Sequence, residues 1–250
     1  MKVLFFDLMP NSLFSIRIPF TWQSALTYPL PPPSTIIGMV ANAIQRAESA
    51  KHPMDYLSEC EQNIIWSAAT LRGYDSSSVR IVLKSHIVST IMRFDYELGG
   101  KGTNALGRQF GFVDGFIRCA LLSENNKFLI RARNALLTSP VTLGDSESTA
   151  TVISVSGPLE MDMAGDKEFR SNYPVPLRVV DDIVEGGTIF WVHERCIADV
   201  KKKDIPLYEH IFPIVENKGI WEHKPILGRV LDGGKIWVVG DEKIVVAERG

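Results

Sequence analysis

Residues 28–47, YPLPPPSTIIGMVANAIQRA, hold the tightest local constraint in the chain. Each of Pro29, Pro31, Pro32 and Pro33 locks φ and pushes the residue before it out of the helical region, so this track is extended and coiling is expected to begin only at Ser34. From there Ile36, Ile37, Val40, Ile44 and Ala47 recur at helical spacing, and the Ser34 hydroxyl is placed to cap the first turn. Gly38 costs helix stability relative to alanine, which predicts a close neighbour against the backbone. Two readings stay open: a capped core helix after a stiff loop, or an anion site at Ser34 and Thr35, where unpaired N–H groups and the positive end of the helix dipole converge.

The flanking pattern sets a fold class. Residues 2–8 read as a strand buried on both faces, and in residues 13–20 Phe14, Ile16 and Ile18 alternate with Ser15 and Arg17 as in a second strand. Pro53 opens a short helix, and residues 64–71 return as a strand. Residues 79–98 lack proline and glycine and are rich in β-branched side chains. They make either one long strand that runs outward into a projecting hairpin, or two strands joined near Lys84-Ser85-His86. The glycine-rich stretch 99–108 then reads as the tip, with Lys101 and Arg108 set among glycines that let a ligand approach the backbone; no Lys-Ser/Thr pair follows its last glycine, so it is not a P-loop. A strand over 111–122, a helix over 127–137 and a strand over 150–156 complete the series.

The order βαββαβ predicts an α+β fold with a ferredoxin-like or RRM-like sheet in residues 1–157, its thumb-like hairpin at about 79–118. Beyond Gly157-Pro158 the chain turns acidic, and short apolar runs broken at Glu185-Gly186-Gly187 and Asp232-Gly233-Gly234 predict a small β-rich region over 158–250.

A net charge of −2 speaks against nucleic acid for the chain as a whole, but residues 63–135 hold 10 basic and 5 acidic side chains while residues 136–250 hold 13 and 19. Phosphate binding needs a local positive surface, so the middle third is a candidate footprint, with charge scattered over several faces as the alternative. Lys201-Lys202-Lys203 runs straight into Asp204 and reads as a solvated loop. No apolar run approaches a bilayer span and the N-terminus turns polar too soon for a signal peptide, which predicts a cytoplasmic protein without membrane contact. Cys60, Cys119 and Cys196 are odd in number and far apart, so neither a disulfide framework nor a metal site is expected.

A strand, then Arg17, then the proline track opening through Pro33-Ser34-Thr35 and two apolar residues to Gly38 resemble the CRISPR-associated RAMP superfamily, and within it the Cas-five family. The resemblance covers about the first fifty residues, resumes over 134–148 in Leu143-Gly144-Asp145-Ser146-Glu147, and fades in the last third. It implies a subunit that grips the 5′ handle of the guide crRNA in type I Cascade interference complexes of antiviral defence, with I-A as the candidate subtype. Implied partners are that RNA, a backbone subunit and a large subunit, with target DNA met only indirectly; no cofactor is implied. By the same resemblance the RNA contacts are Arg17 after the first strand, Tyr28, Ser34, Thr35 and Gly38 at the proline track, Lys84, Arg93, Lys101, Arg108 and Gln109 on a thumb that wedges into RNA, and Gly144, Ser146 and Glu147 on a glycine loop. Asp145 and Glu147 repel phosphate, so that loop is expected to offer main-chain N–H groups or to accept from a base or an arginine.

An endoribonuclease is the alternative function. Cutting RNA without metal requires a base, an acid and a cation, and Tyr28, Lys84 and His86 are the available set. Some relatives in another CRISPR subtype cleave guide precursors with a tyrosine near this track and a Lys-His pair; here Ser85 intervenes, so no catalytic residues are expected. A scaffold without direct RNA contact is the third reading, favoured by the acidic last third.

Overall fold

A computed structural model describes residues 1–21, 24–74, 79–95, 100–196 and 206–247, with the backbone alone at 24, 88–95 and 100–105. The fold is α+β. In chain order its first part runs β1 (Lys2–Pro10), β2 (Ser24–Ala25), α1 (Pro33–Glu48), α2 (Pro53–Asn63), β3 (Trp66–Arg72), β4 (Arg80–Asp95), β5 (Gly100–Asp114), β6 (Phe116–Ser123), α3 (Asn126–Thr138), β7 (Val141–Thr142) and β8 (Thr149–Glu160). The remainder is β9 (Asp162–Met163), β10 (Glu168–Ser171), β11 (Val175–Pro176), a 3-10 turn at Leu177–Val179, β12 (Val180–Glu185), β13 (Thr188–His193), β14 (Leu207–Phe212), β15 (Ile214–Asn217), β16 (Ile220–His223), β17 (Ile226–Val230), β18 (Gly234–Val239) and β19 (Glu242–Ala247).

The first sheet has the order β3-β6-β1-β8-β7, antiparallel throughout. β1 lies at its centre and is apolar on both sides because both sides are covered. Leu4, Phe6 and Leu8 share one core with Ile36, Val40 and Ile44 of α1 and Leu129 of α3. Val3 and Phe5 share the opposite core with Trp66, Tyr173, Ile244 and Val246. The charge in this strand, Asp7, is 5% exposed and is satisfied by a two-pronged ion pair with Arg118 at 2.7 and 2.9 Å and by the Ser154 hydroxyl at 2.6 Å. A buried carboxylate is tolerable only with such partners.

The helix after the proline track begins one residue earlier than the sequence reading placed it. Pro32 is the N-cap at φ −70° and ψ 165°, its carbonyl accepts from Thr35 and Ile36, and Pro33 takes the first helical position. Proline suits that place because its φ is already helical and its missing N–H would have had no partner. Ser34 therefore lies inside the first turn and caps nothing. Gly38 does have a neighbour against its backbone, the Cys196 thiol, but not one that excludes a side chain, since a methyl group added there meets no atom within 4 Å. Asn125 does cap its helix: its side-chain oxygen accepts the Phe128 N–H at 3.1 Å.

The second five-stranded sheet, β15-β16-β4-β5-β2, carries the long hairpin. β4 and β5 pair from Arg80↔Asp114 out to Asp95↔Gly100, with a bulge between Ile87 and Ser89. Residues 100–108, expected at a glycine-rich tip, are instead the returning strand. Glycine lacks a side chain but keeps its N–H and C=O, so a long partner strand can still pair with it. Residues 96–99, Gly99 among them, lie outside the described residues, as do 75–78 and Lys201-Lys202-Lys203. The strand expected over 111–122 is two strands, broken at Gly115 with φ +138°, where a Cβ would lie 2.5 Å from the Arg72 carbonyl. The expected strand over 13–20 is reduced to single bridges, Phe14↔Gly111, Ser15↔Gly144 and Arg17↔Thr27, because this segment laces the two sheets together.

Candidate nucleic-acid interface

Three stretches far apart in sequence meet where β5 leaves the body of the protein: residues 14–28, the root of β5, and the turn around Gly144. Ser15 bridges Gly144, whose φ of +93° and whose proximity to the Ser15 carbonyl, 2.4 Å from a would-be Cβ, both require glycine. The Ser15 N–H donates to the Ser148 hydroxyl at 3.2 Å, and Asp145 accepts the Ser148 N–H at 2.8 Å, so the turn is closed by its own side chains. Thr27 is buried, and its hydroxyl accepts from the Ile16 N–H at 2.7 Å while its own N–H donates to the Gln109 side chain at 3.1 Å.

Arg108 joins the three stretches. Its Nε donates to the Ser15 hydroxyl at 3.1 Å, another guanidinium nitrogen pairs with Asp145, and its plane lies 5.5 Å from the centre of the Phe110 ring. The arginine is thus held in place and partly neutralised, and the exposed rim beyond it consists of Gly144, Ser146 and Glu147. Such a rim offers main-chain groups and hydroxyls as hydrogen-bond partners beside a fixed cation.

The other candidates fall elsewhere. Arg17 is exposed, with its guanidinium donating to the Thr21 carbonyl at 2.7 Å. Lys84 lies across from Phe110 and His86 across from Arg108, both exposed on β4. Arg93 pairs with Gly102 and Lys101 with Phe94 far along the arm, where only the backbone is described. Ser34, Thr35 and Gly38 form no part of this seam. The start of α1 is covered instead by residues 194–196: Cys196 Sγ donates to the Ser34 carbonyl at 3.0 Å and the Cys196 N–H to the Glu61 carboxylate at 2.6 Å.

Tyr28 is 2% exposed, packed against the contacting rings of Phe190 and Phe212, and its hydroxyl donates to the Trp191 carbonyl. Burial pushes its phenol well above the ordinary value. The tyrosine is therefore engaged in the core while Lys84 and His86 face solvent.

A separate buried network ties the C-terminal strands. His210 is fully buried, stacked 5.5 Å from the Trp66 ring, with Nε2 at 2.7 Å from Glu194, which Arg178 grips at 2.6 and 3.0 Å. Desolvation holds His210 below its ordinary value, so the neutral ring donates. Burial works to raise the Glu194 carboxyl, but the hydrogen bonds from His210 and Arg178 outweigh it and hold it low. Among the described residues there is no group of three or more side chains suited to a metal ion, and no helix is long and apolar enough to cross a membrane.

Ser15 entered the sequence reading only as one position of an alternation, and Thr27, Ser148, Phe110 and Phe112 were not singled out as site residues, since small polar residues in loops carry no period and a lone aromatic on a strand reads as packing.

Against known proteins, the family described as CRISPR-associated protein (Cas_Cas5) matches residues 11–204. The search of curated proteins returned no match. Among solved structures, a CRISPR protein from Archaeoglobus fulgidus superposes with a TM-score of 0.60 at 17% identity, covering 99% of each chain. A chain of the Type III-B Cmr-beta complex bound to cognate target RNA and AMPPnP superposes with a TM-score of 0.53 at 10% identity, covering 92% of this chain and 86% of that one. At these identities the likeness is one of fold.

Proposed function

The chain belongs to the CRISPR-associated Cas_Cas5 family, and from that premise we propose that it is a non-catalytic subunit of a type I CRISPR interference complex. In this reading it holds the 5′ handle of the guide RNA in the cytoplasm, meets a backbone and a large subunit, and reaches target DNA only through the assembly. The observation that carries the reading is the long antiparallel arm of β4 and β5 rooted at the Arg108–Gly144 seam, in a chain of this family. An arm with a fixed cation and a hydrogen-bonding rim at its base suits a strand of RNA held by its backbone.

The order β3-β6-β1-β8, antiparallel with α1 and α3 on one face, supports taking residues 1–157 as a ferredoxin-like, RNA-binding unit and 158–250 as a β-rich extension. The engagement of Tyr28 with Trp191 supports a role without catalysis, because the hydroxyl that a nuclease would use is already committed to the core.

The test is copurification after expression with the neighbouring open reading frames. A complex that carries small RNA of uniform 5′ end is the expected result, and a complex assembled without RNA contact to this chain on crosslinking overturns the handle reading. Cleavage of repeat RNA by the isolated protein in EDTA, abolished in Tyr28→Phe or His86→Ala, would establish the nuclease instead.

A further inference from the structure

Directly opposed residues of an antiparallel pair share a face, and alternate residues along each strand return to it. The unbroken register at the root of the hairpin, Val82↔Phe112, Lys84↔Phe110 and His86↔Arg108, therefore gathers these six side chains on one face. The opposite face holds Ile81 and Val113, both buried in the core, and Gly111 beneath the Phe14 ring, 2.5 Å from a would-be Cβ. The gathered face is the outer one. Phe112 is 55% exposed, Lys84 and His86 are exposed, and the Phe110 ring is tilted at 56° to His86 with centroids 6.1 Å apart.

We propose that this outer face, with Phe110 and Phe112 flanked by Lys84, His86 and Arg108, is a base-stacking platform for unpaired RNA. The proposal rests on the RNA-binding reading above and names where the bases go. An exposed ring at Phe112 beside a half-buried one at Phe110 needs a covering partner, and aromatic faces accept any base because every base presents a π-face. The flanking groups decide the chemistry of that partner. Among the described residues Lys84 makes no ion pair; Asp145 is held by Arg108, and the acids next along the face from Phe112, Asp114 and Glu222, lie beside Arg80. An apolar protein surface would strand the Lys84 charge, whereas a nucleic-acid strand supplies planar bases and phosphates together. Same-face positions on a strand lie about 6.8 Å apart. That is about twice the 3.4 Å rise between stacked bases, so Phe110 and Phe112 suit consecutive bases of a splayed strand.

The experiment places a fluorescent adenine analogue in a single-stranded oligoribonucleotide and titrates it with the full-length protein. The parent is expected to quench the analogue on binding. The double variant Phe110→Leu, Phe112→Leu keeps apolar bulk and should melt like the parent, yet bind about tenfold more weakly and lose the quench. Phe112→Tyr, which keeps a ring face, should retain it, and an oligonucleotide of abasic residues should bind parent and double variant alike. Equal affinity and equal quench in the double variant overturn the platform while leaving the RNA-binding reading standing. A parent that binds no RNA overturns both. Loss of a copurifying subunit with RNA affinity unchanged assigns the face to protein and overturns the platform.

Discussion

Tyr28 hands its phenolic hydrogen to the main-chain carbonyl of Trp191, 163 positions further along the chain. The bond fastens the proline track to β13, and the ring packs against Phe190 and Phe212. Tyr28→Phe keeps the ring and removes the donor to the part-buried Trp191 carbonyl, so it should lower stability by about 1 kcal/mol with RNA affinity unchanged. Thermal melting and an RNA titration of the same preparation check this. A variant that melts like the parent but binds RNA poorly contradicts the assignment of Tyr28 to the core.

Asp145 restrains the charge of Arg108 at the seam. Asp145→Asn keeps an oxygen for the Ser148 N–H and removes the neutralising charge, so RNA should bind more tightly. The logarithmic salt slope should steepen by about 0.7. Titrations at several salt concentrations measure it, and a slope equal to that of the parent places Arg108 away from phosphate.

The helix starts give opposite expectations for two similar residues. Ser34→Ala should change stability by less than about 0.5 kcal/mol, because Pro32 and Pro33 already open α1. Asn125→Ala should cost about 1 kcal/mol, because it removes the cap of α3. Denaturant midpoints of the two variants, side by side, decide the matter; a larger loss for Ser34→Ala would restore the serine as the cap.

Acid should destabilise the fold through His210. Its folded value is depressed by burial, so as the pH falls below the ordinary 6.5 the unfolded chain takes up a proton that the folded one refuses, and stability drops. Half-buried His223 is depressed by the same desolvation and adds to the slope. Glu194 acts lower down, since its depressed carboxyl stabilises above the ordinary 4.5 and that contribution is lost only on further acidification. His210→Gln should flatten the stability curve as the pH falls below 6.5. An equally steep curve in the variant rules His210 out as the source.

The sequence made the long periodic elements legible. β1 announced itself by a run with no polar break but Asp7, and α1 to α3 by proline or asparagine at their starts. Two errors share one cause, the reading of single residues by their commonest role. Ser34 read as a cap because serine caps so often, yet Pro33 was equally able to begin the helix. Gly100, Gly102 and Gly107 read as a loop because glycine usually ends a strand, yet β4 supplies a partner for every one of them. The seam was half visible. Arg108, Gln109 and Gly144 stood out one by one, but their meeting depends on contacts such as Arg108 with Asp145, 37 positions apart, for which no local pattern exists.

The pairing of β16 with β4, Ile220↔Val82 through Glu222↔Arg80, gives the projecting arm a built-in end like that of a cantilever. A beam so mounted takes its direction from the wall, and here part of the wall is residues 220–223, beyond the stretch that matches the family description. Two members alike through residue 204 can therefore aim their arms differently by altering the strand that holds the root of β4. Divergence within the family then has a place to act outside the seam of Arg108, Ser15 and Gly144.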